Sequence, residues 1–282
     1  MAPARRIKAR RLNGRRGGTA VEKRVAIVTG GTRGMGRAIS AELAKSGNIV
    51  CAVYRANEAE AAATEQEISH LSEGSFALKA DLSKEDEARR AADEVFGRFG
   101  RVDILVNNAG IFDFCFFEDM SDEYFDRVMD HNFKSQLHMI RACLPYMKAR
   151  RYGRIVNASS ISGRFADVGL IAYAASKAAV NMLTSIASAE FAPYGITVNA
   201  FAPGIIHTDM TAKMIEERGE IQVKQIAMNR FGGGADVAHL VKYLTSPEAG
   251  YVTGEIIGVD GGFFKVQNCE RAHEYVRTRE GE

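Results

Sequence analysis

"TGGTRGMG", residues 29–36, follows the apolar run Arg24-Val25-Ala26-Ile27-Val28 and carries glycine at half of its positions. Glycine weakens a strand or helix interior because it loses more backbone freedom on folding than any other residue. Its concentration here makes sense where a strand hands over to a helix and a ligand must approach the backbone between them. Helix N-terminal amides point outward and the macrodipole favours negative charge there, so the first strand–helix turn is a natural phosphate site. A side chain would hold a pyrophosphate away from those amides. Gly30, Gly34 and Gly36 remove that obstruction, and the last of them lets the helix lie close to the sheet.

The pattern repeats along the chain. RVAIVT, IVCAVY, SFALKA, DILVNN, RIVNAS, ITVNAF and EIIGVD read as seven strands, almost continuously apolar, as in a parallel sheet covered on both faces. Helical patterns fall between them at 35–46, 58–71, 84–99, 121–148, 173–191, 208–228 and 235–244. Such alternation, with right-handed crossovers, predicts an α/β fold: a single-domain, Rossmann-type doubly wound sheet of seven parallel strands flanked by helices. No linker or repeat interrupts 24–264. We therefore expect a basic leader over 1–23, a dinucleotide-binding and catalytic domain over 24–264, and a charged tail over 265–282.

At 282 residues, 46% hydrophobic and 26% charged, the composition is that of an ordinary globular protein. No apolar run reaches the roughly 18–20 residues that a bilayer-spanning helix needs. Residues 1–24 hold nine Lys or Arg and one acid, Glu22, which leaves the remainder with a net charge of −6. The leader reads as a solvated, disordered segment, with a transit peptide or a polyanion-binding arm as alternatives. Cys51, Cys115, Cys143 and Cys269 share no short spacing. They read as free thiols in a reducing compartment, which predicts a cytoplasmic protein, with organelle import as the alternative. The histidines show no metal-ligand spacing and no metal is expected. Neither a membrane nor nucleic acid is an expected partner.

The spacing T-G-x-x-x-G-x-G resembles that of the short-chain dehydrogenase/reductase family. Further matches are NNAG (107–110), SSISG after the fifth strand, YAASK (173–177), Pro203-Gly204 followed by TDM, and TGEIIGVDGG. The resemblance covers about 22–264. It implies a nicotinamide cofactor held by Gly30, Thr32, Arg33, Gly34, Met35 and Gly36 in the loop, with Asp81 and Leu82 at the adenine. Asn108, Ala109 and Gly110, after Asn107, would lie beneath the adenosine ribose. Pro203, Gly204, Ile206 and Thr208 would lie toward the nicotinamide. An NAD site usually places an acid about 20 residues past the glycines, but here Tyr54 stands in its place with Arg55 beside it. Arg33 and Arg55 could grip a 2′-phosphate through bidentate bonds, so the expected cofactor is NADPH rather than NADH.

Tyr173 and Lys177 lie four apart, on one helical face. An ammonium beside the phenol, with an oxidised nicotinamide close by, would favour phenolate and lower the tyrosine pKa. The resemblance implies that Tyr173 is the proton donor and that Lys177 also holds the nicotinamide ribose. It implies that Ser160, thirteen residues before the tyrosine, orients the carbonyl, with Ser159 structural, and that Asn132 supports a water relay to the lysine. The overall pattern looks most like reductases of 3-oxoacyl thioesters on acyl carrier protein or coenzyme A. A sugar, polyol or cyclic ketone reductase, and a non-catalytic NADPH-sensing regulator, are the alternatives. Pocket walls are expected from 111–118, with its four phenylalanines, and from 161–172 and 206–228. Arg127, Lys134 and Arg141 could receive an acidic carrier. The family's habit implies a homotetramer, with Met139, Ala142, Cys143, Tyr146, Ala179, Leu183 and Ile186 either in its seam or facing the sheet.

Overall fold

Residues 23–280 are described by the computed structural model; the basic leader, Lys23 apart, lies outside them. The first strand, β1 (Val25–Thr29), is entirely buried and sends alternate side chains to opposite faces. Val25 and Ile27 join one core, and Ala26 and Val28 the other. The remaining strands are β2 (Ile49–Tyr54), β3 (Phe76–Lys79), β4 (Ile104–Asn107), β5 (Gly153–Ala158), β6 (Ile196–Pro203) and β7 (Ile256–Val259). They form one seven-stranded sheet in the order β3-β2-β1-β4-β5-β6-β7. Every pairing is parallel. This is the doubly wound fold that the strand–helix alternation predicts.

Helices cover both faces. On one side α1 (Gly34–Lys45), α2 (Glu58–Leu71) and α8 (Gly234–Thr245) bury Ile39, Leu43, Ile68, Val237 and Val241. On the other, α3 (Glu85–Phe99), α5 (Ser135–Arg150) and α6 (Ile171–Phe191) bury Val95, Met139, Cys143, Met147 and Ala187. The proposed oligomer stripe is therefore divided. Met139 and Cys143 face the sheet of their own chain, and Ala142, Tyr146 and Leu183 pack partly on that core. Ile186 is exposed, as is Met182 beside it.

Two predicted helices differ in extent, and one helix was not predicted. The 121–148 stretch is α4 (Asp122–Met129), a single π-turn over Asp130–Lys134, and α5. The helix predicted over 208–228 is the shorter α7 (Ala212–Val223), because 224–233 makes a series of turns. The tail is not structureless: it carries α9 (Glu270–Glu280). Among the described residues no helix is long and apolar enough to cross a membrane.

At the N-terminal ends of the central strands, Asp103 is fully buried. It accepts from the Val25 amide at 2.9 Å and from Arg101 Nε and Nη2 at 2.6 and 2.9 Å. The opposite, C-terminal ends carry the site.

Candidate active site

β2 and β4 flank β1 on opposite sides, so the connections leaving β1 and β4 diverge and open a crevice at the C-terminal end of the sheet. The glycine turn stands at its edge. Gly30 and Gly34 adopt φ of +59° and +50°, the left-handed region that glycine enters without strain. A Cβ on Gly36 would lie 1.9 Å from the Gly30 carbonyl oxygen, so no larger residue fits there. The cap of α1, Arg33, makes no side-chain capping bond, and the first turn holds no acid. The N-terminal amides of that helix therefore remain available to an anion. Thr29 ties the turn to β4: its hydroxyl accepts from the Asn108 and Ala109 amides, each at 2.9 Å. Asn108 Nδ2 in turn donates to the Thr29 and Gly30 carbonyls. A bare glycine cradle before an uncapped helix suits the pyrophosphate of a dinucleotide.

The four residues singled out for chemistry converge beyond that turn. Ser160, just after β5, is buried, accepts from the Ser162 amide at 3.1 Å, and lies close enough to the Tyr173 phenol on α6 to influence its pKa; both line one cavity. Lys177, one turn along, is also buried and donates to the Ala158 carbonyl at 2.9 Å, with Nζ 5.6 Å from the Tyr173 ring centre. Asn132 sits in the π-turn, where an extra residue in the helix re-aims a side chain inward. Its Oδ1 accepts from the Ile111 amide at 2.7 Å and its Nδ2 donates to the Ile111 carbonyl at 3.0 Å. Nδ2 also donates to Ser176 Oγ, which donates to the Tyr173 carbonyl. Asn132 thus clamps the segment after β4 to the catalytic helix.

Within the protein alone, burial raises the Tyr173 pKa above its ordinary value, and the neighbouring Ser160 opposes it. Burial likewise lowers Lys177 to about 8. The Lys177 ammonium donates to the Ala158 carbonyl.

A short chain dehydrogenase profile matches residues 24–219. The chain belongs to the short-chain dehydrogenase/reductase family. Its members are NAD(P)-dependent oxidoreductases, and this chain is one of them. It is 40% identical over 239 residues to the 3-oxoacyl-(acyl-carrier-protein) reductase FabG of Staphylococcus epidermidis, covering 85% of this chain and 98% of the relative. The protein of the same name from Aquifex aeolicus is 37% identical, with 86% and 98% covered. Among solved structures, that of gox2181 superposes with a TM-score of 0.82 at 32% identity, covering 87% of this chain and 97% of the other.

In this dehydrogenase the remaining cofactor candidates occupy varied settings. Tyr54 donates to Glu58 at 2.5 Å, which raises its pKa to about 12. Arg55 is hydrogen-bonded to His131 Nε2, while Arg33 is exposed on the turn. The Asp81 carboxylate is engaged by the amide and hydroxyl of Ser83, and the Leu82 side chain is buried in the core beneath α3 and α5. Thr32 is buried and its carbonyl accepts from Thr64. Met35, Pro203, Gly204, Ile206 and Thr208 line the cavity that holds Ser160 and Tyr173. A Cβ on Gly34 would touch Thr208 at 3.4 Å, so the turn and the loop after β6 close on each other. Gly110 lies where a Cβ would meet Asn132 Oδ1 at 2.9 Å.

The substrate side is more aromatic than expected. Of the four phenylalanines in 111–118, Phe112 and Phe114 line the cavity, and Phe112 stands edge-on to Tyr173 at 5.0 Å. Phe114 is itself partly open to solvent, and Phe116 and Phe117 are exposed outside the cavity lining. Sequence reasoning missed Phe165 as an individual wall residue, and Phe263 and Phe264 altogether. The latter two follow directly on VDGG, where the family pattern ends, and that abrupt apolar pair was the available signal. It also missed Gln136, which joins Lys177 in donating to the Ala158 carbonyl. The supposed carrier patch is largely engaged within the chain: Arg127 pairs with Asp113 and Lys134 with Asp130.

Proposed function

We propose that this enzyme uses NADPH to reduce the ketone of a 3-oxoacyl thioester, on acyl carrier protein or coenzyme A, to the 3-hydroxyacyl product. The observation that carries the reading is the meeting of Ser160 and Tyr173 on one cavity wall, with a buried lysine one helical turn beyond the tyrosine. When bound, the nicotinamide supplies hydride to the carbonyl carbon. Ser160 donates a hydrogen bond to the carbonyl oxygen and orients it, and Tyr173 protonates that oxygen. Lys177 holds the ribose hydroxyls, and Asn132 keeps the Ile111 segment against the catalytic helix. The thioester rests on the names of the reductases to which the chain is similar.

The choice of NADPH is supported on the acidic side as well as the basic one. Glu58, the first carboxylate after Tyr54, is already held by Tyr54 and by Lys79 at 2.5 Å, so it is not free for a ribose hydroxyl. Arg33, exposed on the turn, is placed to meet a 2′-phosphate, and Arg55 joins it by exchanging His131 for the phosphate. The exposed Met182 and Ile186 on α6 support pairing of copies into a homotetramer. The four free thiols support a reducing, cytoplasmic setting.

The test is coenzyme consumption with acetoacetyl-CoA, longer 3-oxoacyl thioesters, sugars and cyclic ketones, each with NADPH and NADH. The thioesters are expected to give the highest kcat/KM, with NADPH preferred. Equal efficiency with both coenzymes overturns the arginine argument, and a preferred sugar overturns the substrate. Tyr173→Phe is expected to lose about 10²–10⁴-fold in turnover while still binding NADPH. Full turnover in that variant overturns the proton-donor role.

A further inference from the structure

The chain beyond Phe264 lies outside the part that resembles the family, and the two phenylalanines at that boundary reach the site. Phe263 is buried with Ile161, Ile205 and Ile226 in a third apolar cluster, against which Phe165, Met214 and Ile215 pack. Its ring stacks on Phe264 at 3.9 Å and 21°. Phe264 holds φ of +58°, uncommon for a residue of its size, and its ring meets Phe165 at 5.7 Å. Both line the cavity of Ser160 and Tyr173. Lys265 is fixed at 3.2 Å from the buried Asp260 carboxylate and lies near the Phe165 ring.

The same segment is latched to the end of α7. Met228 donates its amide to the Gly261 carbonyl at 3.0 Å. A Cβ on Gly262, whose φ is +85°, would lie 2.8 Å from Ala227 Cβ. Farther on, His273 Nε2 is 2.8 Å from the Ala227 carbonyl, Cys269 Sγ donates to the Lys224 carbonyl, and Lys224 pairs with Glu270 at 3.4 Å. α9 therefore grips the turn that ends α7, and α7 brings Met214 to the cavity.

We propose that residues 263–280 are a specificity element: Phe263 and Phe264 build the far wall of the substrate cavity, α9 fixes it to α7, and the wall favours, beside the ketone, an acyl group that carries a flat, apolar ring over a saturated one. Aromatic faces prefer offset or edge-on ring partners over saturated chains, by enough to be read as affinity. Phe112 and Phe114, edge-on to each other at 5.2 Å, approach from one segment, and Phe165 and Phe264 from two others. A ring entering this cavity meets aromatic surface from three parts of the chain. The proposal rests on the reductase reading only in placing the carbonyl at Tyr173.

Binding separates the two. With the NADP⁺-saturated enzyme, 2-acetylnaphthalene and 2-pentanone are titrated calorimetrically into wild type, Phe264→Ala, Phe264→Leu and a chain ended after Lys265. Phe264→Ala is expected to weaken the naphthyl ketone about tenfold and the aliphatic ketone less than twofold. Phe264→Leu, which keeps bulk but not the ring face, is expected to fall between. The shortened chain is expected to match or exceed the loss, and its 212–228 segment to be cut faster by protease. No naphthyl binding by wild type, an equal loss for both ketones, or no loss in Phe264→Ala overturns the proposal. Failure of the shortened chain to fold leaves the two point variants decisive. Turnover of acetoacetyl-CoA is measured separately: its absence, with ring selectivity intact, overturns the thioester reading alone.

Discussion

Lys177 is where burial and chemistry meet most directly. Its ammonium is taken out of water with a carbonyl as its partner, and its pKa falls from 10.5 to about 8. Between those values the unfolded chain binds more protons than the folded one, so stability rises with pH across that window, by up to about 1.4 kcal/mol per unit. Below pH 8 the burial penalty is fully present. Lys177→Met has nothing to titrate there. Urea unfolding at pH 7 and pH 9.5 is expected to show the difference between the two proteins moving in favour of wild type as pH rises. A pH-independent difference would contradict this. The spacing of Tyr173 and Lys177 made the pair legible in the sequence. Spacing says nothing about which carbonyl a lysine will find, so the bond to Ala158 was not legible.

The strand-to-helix turn is the most constrained element. Gly36→Ala puts a methyl group 1.9 Å from the Gly30 oxygen, and no rotamer can relieve a backbone collision. The turn must open, and the amides at the start of α1 then lose their alignment. NADPH affinity, followed by cofactor fluorescence, is expected to drop more than tenfold, while the circular dichroism of the helices persists. Near-native affinity would show that the amides do not hold the phosphates. This element was readable because glycine leaves a strong compositional mark. The π-turn at Asp130–Lys134 leaves none, since DHNFK fits an ordinary helical pattern and the interruption follows from Asn132 reaching Ile111. The strands were legible because a doubly covered sheet demands continuous apolar runs. α9 was not, because its stability comes from the α7 turn it grips rather than from an apolar face of its own.

For the whole molecule, the doubly wound topology follows from alternation alone, whereas assembly does not. Most of the stripe that could have formed an oligomer seam packs in or on the chain's own core, because sheet-facing and partner-facing residues alternate with the same helical period. The exposed remainder on α6 still predicts association, and light scattering is expected to give four times the 30.8 kDa chain mass. A monomer mass would refute this. The C-terminal phenylalanines were invisible as site residues for a related reason: a segment past the last strand has no topological duty that ties it to the crevice.

The buried Arg101–Asp103 pair has a practical consequence. It anchors β1 and β4 at their N-terminal ends, the end of the sheet opposite the crevice. Asp103→Ala removes the acceptor for the Val25 amide and is expected to cost about 3–5 kcal/mol in urea unfolding, while kcat measured on the surviving folded fraction stays near wild type. Robustness and turnover therefore reside at opposite poles of one sheet. Selection, or an engineer, can harden the protein from below without disturbing what happens above.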